Sequence, residues 1–167
     1  KNILQDLYIE RNPNPTGSKE ELDYALDGSL YSAAHREHHK WFRHFLRQKD
    51  YYDIFLFAPN GDLVYTVFKE LDYATNLNTG EWKDTDLGNA FRAARDNPKE
   101  NYQAFFDFRP YAPSNNVPAS FISQPILDAN ERLAGVLVFQ MPISRINAIM
   151  NIHKGLGETG ETYLVGA

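Results

Sequence analysis

The sequence predicts an α+β fold in which helices pack around an antiparallel sheet of five strands. Three observations lead to this prediction. The spacing of apolar residues changes after residue 50 from a helical period to strand-length runs. Asn60-Gly61 lies between two apolar runs, which is typical of a β-hairpin. The last three apolar runs are joined by short loops, so they favour an antiparallel meander over parallel strands with helical crossovers.

The first fifty residues are predicted to be helical. A short helix over residues 1–10 ends where Asn12–Gly17 brings two prolines and a glycine. Ser18 and Glu21 match a capping box and predict the start of a second helix, which ends at a glycine before residue 29. A longer helix is expected from about Ser29 to Gln48, and its apolar side consists of Tyr31, Ala34, Trp41, Phe42, Phe45 and Leu46.

The rest of the chain predicts five strands and two helices. The strands are expected over residues 51–57, 63–69, 104–111, 119–126 and 133–141. A helix over residues 85–95 separates the hairpin from the meander, and a closing helix capped by Ser144 ends at Gly155.

Composition excludes several classes of function. The chain has no cysteine, which removes disulfides, thiol nucleophiles and Cys-based zinc sites. A net charge of −5 without a basic stripe argues against nucleic-acid binding. No apolar run approaches the roughly 20 residues of a membrane-spanning helix, and no signal peptide opens the sequence. Any membrane anchors of the parent protein are therefore expected outside this sequence.

Two motifs invite a catalytic or cofactor interpretation. Residues Gly155–Gly160 match G-x-G-x-x-G, but a helix precedes them and a strand-like run follows, the reverse of a dinucleotide site, so a linker is predicted. His35 and His39 have the i, i+4 spacing that can chelate a metal, yet no zinc-protease pattern accompanies them. A solvent-facing pair is the commoner arrangement, and His35 and His39 stay a weak metal candidate. The sequence predicts no catalytic residue, no enzyme and no cofactor.

Polar and aromatic side chains alternate along two predicted strands. Strict alternation places Phe105, Asp107, Arg109 and Tyr111 on one face, and Leu63, Tyr65, Val67 and Lys69 on one face of the hairpin. Such a face is either plain solvent surface or the floor of a pocket. The loop over residues 72–76 is placed to close over it.

The core strands resemble those of Cache sensor domains, which are PAS-like extracytoplasmic domains of bacterial receptors. The resemblance rests on residues 51–57 and 61–70 for the opening hairpin, 106–114 and 118–126 for the next two strands, and 132–140 for the last strand. Residues 157–166 are similar to the entry of a second, membrane-proximal lobe.

The resemblance implies a double-Cache domain with a central antiparallel sheet of five to six strands, a long N-terminal helix and flanking helices. It divides the chain into a helical segment over 1–50, a membrane-distal lobe over 51–154, and a linker with the truncated start of a second lobe over 155–167. Such domains sit on the periplasmic side of membrane-anchored chemoreceptors, histidine kinases and nucleotide cyclases. They bind small molecules, and homodimerisation through the N-terminal helices is expected.

A set of nine residues is predicted to line the ligand site: Tyr65, Lys69, Asp72, Tyr73, Asp107, Arg109, Tyr111, Ser114 and Gln140. Amino-acid-binding members carry an Arg-x-Trp-Tyr motif and a final-strand Asp, whereas this chain lacks the motif and has Gln140 at the matching position. These departures argue against an α-amino acid and favour a small carboxylate held by Arg109 or Lys69.

Two rival functions stay open at the level of sequence. The first is a ligand-free module that serves as spacer, dimeriser or docking site, for which 11 Phe and 10 Tyr supply residues to fill a pocket. The second is a small metal-binding enzyme that uses the His35/His39 helix.

Overall fold

The computed structural model describes residues 2–150 and contains one five-stranded antiparallel sheet. The strands are β1 (Asp53–Phe57), β2 (Leu63–Thr66), β3 (Ala104–Tyr111), β4 (Val117–Leu127) and β5 (Leu133–Met141). Their order in the sheet is β2-β1-β5-β4-β3. The predicted α+β architecture is confirmed, and β3 and β5 have the predicted bounds.

Four helices flank this sheet within residues 2–150. They are α1 (Ile3–Gln5), which continues as a π-helical stretch (Asp6–Glu10), α2 (Leu30–Lys49), α3 (Asp86–Arg95) and α4 (Ile143–Met150). Two 3₁₀ turns occur at Lys19–Glu21 and Ala112–Ser114. None of the helices in this range is both long and apolar enough to cross a membrane.

The two sheet faces carry separate apolar cores. On one face, α3 packs Leu87 and Phe91 against Phe55, Phe121 and Val138. On the other face, α2 packs over β1 and β2, where Leu46, Ile54 and Val67 are buried. Each fully buried side chain of this size contributes about 1.5–3 kcal/mol, so these two layers hold the helices to the sheet.

The predicted helix after Ser18 is wrong. Ser18 makes no side-chain cap, and only a single 3₁₀ turn forms there. The carbonyl oxygen of Glu20 instead accepts hydrogen bonds from His39 Nε2 at 2.7 Å and Arg43 at 2.5 Å. That carbonyl cannot also serve as an acceptor in a local helix, so contacts with α2 override the capping signal.

Helix α2 occurs where predicted, but its buried side differs. The Ser29 hydroxyl accepts from the Ser32 N–H at 3.1 Å and caps the helix start. His35 and His39, expected on the solvent side, are buried, whereas Trp41 is 60% exposed. The helix is turned toward the histidines because they find hydrogen-bond partners on neighbouring segments.

The turn between β1 and β2 is not the type I′ turn that Asn-Gly usually forms in a β-hairpin. The Gly61 N–H donates to the Ala58 carbonyl at 3.0 Å, and Gly61 has φ +96°, but Asn60 does not have positive φ. Pro59 fixes φ near −65° and suits a type I turn, so Gly61 becomes the left-handed residue of a bulge. A second irregularity, in the pairing of β1 with β2, separates Leu63 from Tyr65: Leu63 pairs with Phe57 on the α3 face, and Tyr65 lies on the α2 face.

Strand β3 also departs from strict alternation. Its pairing with β4 shifts between Phe106 and Arg109, so a β-bulge adds one residue there. Phe105 therefore faces away from Arg109 and Tyr111, although alternation placed all three together. A bulge reverses the facing of every residue beyond it, and the apolar pattern gave no sign of one.

The C-terminal predictions are tested only in part. Helix α4 begins at Ile143, so Ser144 lies inside its first turn and does not precede it. The predicted helix end at Gly155, the linker over Gly155–Gly160 and the second-lobe segment over 155–167 lie outside the described residues.

Candidate functional site

A cluster of buried polar side chains lies between the α3 face of the sheet and the segment that follows β2. Asp53 on β1 and Gln140 on β5 are paired in register, which places them side by side on that face. Asp72, from the segment after β2, is fully buried, and Glu70 is half-buried. Ordinary cores place apolar residues at such positions, so these carboxyl and amide groups indicate a site.

Hydrogen bonds connect these side chains. Glu70 accepts from the Tyr52 hydroxyl at 2.9 Å and from the Ser114 hydroxyl at 2.6 Å. The Ser114 oxygen in turn accepts from Gln140 Nε2 at 3.4 Å. Beside them, Asp72 Oδ2 accepts from the Tyr111 hydroxyl, on β3, at 2.5 Å. The segment after β2 is thus tied to the ends of β3 and β5.

Two buried oxygen atoms in this cluster have no hydrogen-bond partner. They are Asp72 Oδ1 and Gln140 Oε1. Leaving a buried acceptor unsatisfied costs about 1–3 kcal/mol, so a protein rarely retains such groups without a use. Two acceptors without a donor therefore lie in one cluster.

Burial raises the pKa of all three carboxyl groups in the cluster. Desolvation raises the pKa of Asp72 to about 7, despite the hydrogen bond from Tyr111, and the charge of Glu70 raises it further. Burial likewise raises the pKa of Glu70. The pKa of Asp53 is also raised by burial, although the backbone N–H groups of Ile54 and others hydrogen-bond to it. Three carboxyls together in low dielectric repel one another when ionised.

A pocket of about 360 Å³ opens onto this cluster. Tyr52 and Glu70 form part of its wall, and Pro113 and Asn115 flank Ser114 at its edge. The other lining residues are Ile9, Thr16, Gly17, Lys19, Phe68, Lys69 and Leu71. The volume suits a small molecule, and apolar walls with a few convergent polar groups are typical of ligand sites.

Lys69 lies on the opposite side of the same segment, in a cage of tyrosine rings. Its Nζ is 4.4 Å from the ring centroid of Tyr65, 5.1 Å from that of Tyr73 and 5.9 Å from that of Tyr8. The carbonyl of Thr66 accepts its hydrogen bond. Burial lowers the pKa of Lys69 to about 7, although the charge of Asp53 opposes this shift. Cation–π contact with three rings offsets part of the desolvation cost.

The histidine pair of α2 adjoins this cage. The rings of His35 and His39 stack with centroids 4.2 Å apart. Nε2 of His39 donates to the Glu20 carbonyl, so its Nδ1 accepts from the Tyr65 hydroxyl at 2.7 Å. Nδ1 of His35 lies 2.9 Å from the Asp23 carbonyl, which leaves its Nε2 without a partner.

These histidines are held as neutral groups in the core. Burial lowers the pKa of His35 to about 2 and that of His39 to about 3, and the charge of Lys69 lowers both further. Because His39 uses both nitrogens, the pair cannot chelate an ion without breaking these bonds. Across residues 2–150, no three His, Cys, Asp or Glu side chains form a group that could hold a metal.

The structure divides the nine predicted site residues into three groups. Asp72, Tyr111, Ser114 and Gln140 lie together in the polar cluster, and Tyr65, Lys69 and Tyr73 lie together in the cage. Asp107 is exposed and accepts from the Phe108 N–H. Arg109 has a side chain 76% exposed, lies 3.7 Å from Asp86, and lines a separate pocket of about 270 Å³.

Four residues of the two clusters were not predicted from the sequence: Tyr8, Tyr52, Asp53 and Glu70. Asp53 could have been predicted from the sequence, because a carboxylate within an apolar strand run is unusual and indicates a buried polar site. Glu70 follows Lys69 at the end of the predicted strand. The direction of its side chain depends there on the turn and not on strand alternation. Tyr8 contacts the cage although it is distant in sequence from the other residues, and no local sequence pattern predicts such a contact.

The fold of this chain is similar to that of solved sensor-domain structures. The sensor domain of the Vibrio cholerae histidine kinase DctB is similar over 88% of this chain and 50% of its own length, at 12% identity and a TM-score of 0.50. The Escherichia coli DcuS sensor domain matches over 65% and 68% of the two chains, at 14% identity and a TM-score of 0.46.

A third similar structure is the ligand-binding domain of the Pseudomonas aeruginosa amino acid chemoreceptor PctC in complex with GABA. It matches over 80% of this chain and 52% of its own length, at 14% identity and a TM-score of 0.48. This chain spans about half the length of the DctB and PctC domains. No protein-family model matches the chain, and no curated protein matches it. At these identities the likeness shows a common fold.

Proposed function

We propose that this chain is the extracytoplasmic ligand-sensing domain of a membrane-anchored receptor, and that a small molecule binds in the pocket beside Glu70. One observation carries the proposal: Glu70 lines a pocket of about 360 Å³ and is hydrogen-bonded to Ser114 of the buried polar cluster, in which Asp72 and Gln140 each retain an unpartnered oxygen. The similar structures are sensor domains and a chemoreceptor ligand-binding domain, not enzymes, which supports a binding role. The parent protein is then a chemoreceptor, a histidine kinase or a nucleotide cyclase.

The segment after β2 supplies the route by which binding reaches α2. Glu70 and Asp72 face the cluster, whereas Tyr73 donates to the Tyr31 hydroxyl on α2 at 2.6 Å. A ligand that favours one arrangement of this segment therefore also favours one position of α2. The size of the signal is set by the difference in ligand affinity between the two arrangements.

The wider organisation is part of the same proposal. The described lobe is the membrane-distal half of a double-Cache domain, on the periplasmic side of the membrane, and residues 155–167 begin the second half. Pairing of two copies through their N-terminal helices stays a prediction. Trp41 supports it, because it is 60% exposed on α2 and stacks on Phe45 with centroids 5.2 Å apart.

A ligand-free structural module is the second candidate. Lys69 itself fills the tyrosine cage, as a cationic ligand would, and so leaves no room there for another molecule. In that case the buried contacts serve the stability of the lobe alone.

Thermal unfolding with a panel of small carboxylates, amines, amino acids and purines separates the two candidates. A ligand at 100 times its Kd adds about 2.7 kcal/mol, which raises Tm by roughly 5–10 °C for a domain of this size. We expect a selective rise with one chemical class. Gln140→Leu should abolish this rise, because it removes an amide that faces the cluster.

Arg109→Ala is the matched control. Arg109 lies outside the cluster, so its removal should leave the rise intact. Loss of the rise in Arg109→Ala alone would move the site to the pocket of about 270 Å³ and restore the predicted role of Arg109. No rise with any compound favours the structural module.

A further inference from the structure

The polar cluster between the sheet and the segment after β2 contains more hydrogen-bond acceptors than donors. Asp72 Oδ1 and Gln140 Oε1 are buried acceptors without a donor, and the Asp72 side chain is fully buried. An ionised carboxyl group can only accept hydrogen bonds, whereas a protonated one also donates through its O–H. A proton on one carboxyl group therefore supplies a donor to a closed cluster that is short of donors.

The negative charges of the cluster are not balanced by hydrogen-bonded cations. Glu70 accepts from the hydroxyl groups of Tyr52 and Ser114. Asp72 accepts from the hydroxyl group of Tyr111. Within residues 2–150, no lysine or arginine is hydrogen-bonded to either carboxyl group. A carboxyl group that is buried without a counter-charge ordinarily takes up a proton, because burial of the bare charge costs more.

Lys69 does not neutralise Asp72, although it belongs to the same segment. Its ammonium donates to the Thr66 carbonyl and lies 4.4 Å from the ring centroid of Tyr65. The charge of Asp53 raises the pKa of Lys69, so Asp53 is the carboxyl group of the cluster that this cation partners electrostatically.

Asp72 has the least support for a negative charge among the carboxyl groups of the cluster. Asp53 Oδ1 accepts from the backbone N–H groups of Ile54 at 2.7 Å and Val67 at 2.8 Å, which favour its ionised form. Only one oxygen of Asp72 has a donor, the Tyr111 hydroxyl, and the other has none. Burial raises the pKa of Asp72 to about 7.

The titratable groups that act on Asp72 come from its own segment and from the sheet. The charge of Glu70, on the same segment, raises its pKa, and the hydrogen bond from Tyr111, on β3, lowers it. The charge of Asp72 in turn raises the pKa of Asp53, on β1. Helix α3 covers the same face of the sheet with apolar side chains such as Phe91. Ionisation of one of these carboxyl groups therefore makes ionisation of the next more costly.

We propose that Asp72 is held as a neutral carboxylic acid and that its proton fastens the segment after β2 to the sheet. The neutral group keeps the hydrogen bond from Tyr111 on β3, and Gln140 Oε1 on β5 is an acceptor in the same cluster for its O–H. Loss of the proton leaves a charge beside Glu70 and Asp53 in a closed interior. The repulsion is relieved when the segment lifts from the sheet and water reaches the carboxylates. This proton latch acts in the chain alone and needs no ligand.

The direction of the pH effect follows from the two states of Asp72. Its pKa is about 7 in the closed segment and returns toward the ordinary 3.8 when the open segment exposes it to water. Between these values the closed form holds a proton that the open form releases. Rising pH therefore weakens closure by up to about tenfold per unit from about pH 4 to 7, and no further above 7. The buried His35 and His39 act in the opposite direction, because burial lowers their pKa.

Carbon-13 NMR of the aspartate carboxyl groups tests the protonation state directly. The Asp72 carbon is assigned through its own backbone amide, so the titration from pH 4 to 9 is made on the unmodified chain. We expect this carbon to show a protonated group at pH 5 that ionises near pH 7. An Asp72 carboxyl group that is already ionised at pH 5 overturns the proposal, and so does a proton that resides on Asp53 instead.

Amide hydrogen exchange tests the latch itself. The N–H groups of Tyr73 and Thr75 donate within the segment, to the Glu70 and Asp72 carbonyls at 3.1 Å each, and report its opening. After correction for the intrinsic effect of pH, their protection should fall by at least about tenfold from pH 5 to pH 7. Unchanged protection in the unmodified chain overturns the latch and requires no variant.

Two carboxyl-to-amide variants assign the effect to one residue. Asp72→Asn is uncharged at every pH and has nearly the same shape, so the fall in protection should be at least about threefold smaller in this variant. Asp107→Asn, the same change at an exposed carboxylate on β3, should keep the full fall. An undiminished fall in Asp72→Asn overturns the role of Asp72. None of these results depends on whether a compound of the ligand panel binds, so the latch and the proposed function fail separately.

Discussion

Lys69 shows at the scale of one residue how a buried charge is accommodated. It is 2% exposed and has φ +59°, a backbone conformation that a non-glycine residue seldom adopts. The tyrosine rings and the Thr66 carbonyl are its direct contacts. Such an environment reduces the cost of the charge without removing it, and the pKa of Lys69 falls to about 7 for that reason.

The stability of the protein should therefore depend on pH through Lys69. Its pKa is about 7 when folded and 10.5 when unfolded, so between these values the unfolded chain holds a proton that the folded protein releases. The free energy of unfolding rises with pH across this window, by at most about 1.4 kcal/mol per unit.

Urea unfolding at pH 7, 8 and 9 should show a smaller rise in the free energy of unfolding for Lys69→Met. Lys99→Met, at an exposed lysine, should keep the full rise, and equal slopes in all three proteins would refute this account.

Helix α2 illustrates at the scale of an element how polar residues form a buried face. His35 and His39 replace apolar residues at core positions, and Tyr65 and two backbone carbonyls bind them. Both rings are neutral in the folded protein, because burial lowers their pKa. The attachment of α2 to the sheet therefore depends on their remaining unprotonated.

Acid should loosen this attachment. Below the ordinary histidine pKa of 6.5 the unfolded chain binds protons that the folded protein, with His35 at about 2 and His39 at about 3, does not. The free energy of unfolding thus falls as pH decreases from 6.5. Urea unfolding between pH 6.5 and 4.5 should show a shallower fall in His35→Phe. His38→Phe, at an exposed histidine of the same helix, should leave the slope unchanged; a change there and none in His35→Phe would exclude the buried pair.

Helix α3 contains a glycine whose role is close packing. A Cβ added at Gly88 would lie 2.4 Å from the Lys83 carbonyl oxygen, which also accepts from Arg92. Gly88→Ala should therefore destabilise the protein by about 1–3 kcal/mol, although alanine is the better helix former. Denaturant unfolding measures the change. Ala93→Gly in the same helix gives the pure propensity cost of about 1 kcal/mol, and a stabilised Gly88→Ala would show that the Lys83 loop simply moves.

At the scale of the whole molecule, the sheet is the part of the fold that could be predicted from the local sequence pattern. Strands β3 and β5 have their predicted bounds, since long apolar runs between turn residues leave few alternatives. The antiparallel topology follows from the short connections. The segment after Ser18 was mistaken for a helix because its backbone bonds go to side chains 19 and more residues away.

The candidate site could be predicted from the sequence only in part, because contacts between distant segments form it. Asp72, Tyr111, Ser114 and Gln140 were chosen for their chemistry, and the structure brings them together. Arg109 was also chosen, but its side chain is exposed and lies beside Asp86, outside the cluster. Alternation assigns a face only while the register holds, and both bulges occur within the segments that carried the prediction.

Lys69 and Glu70 are consecutive residues that face opposite sides of one segment, and this has a thermodynamic consequence. If a ligand repositions Glu70, the same peptide unit repositions the Lys69 ammonium among its tyrosines, and the proton affinity of Lys69 changes. Linkage is reciprocal: if the ligand changes the proton affinity of Lys69 by some factor, protonation of Lys69 changes the affinity for the ligand by the same factor. A receptor built on this segment would report the acidity of its surroundings together with the concentration of its ligand.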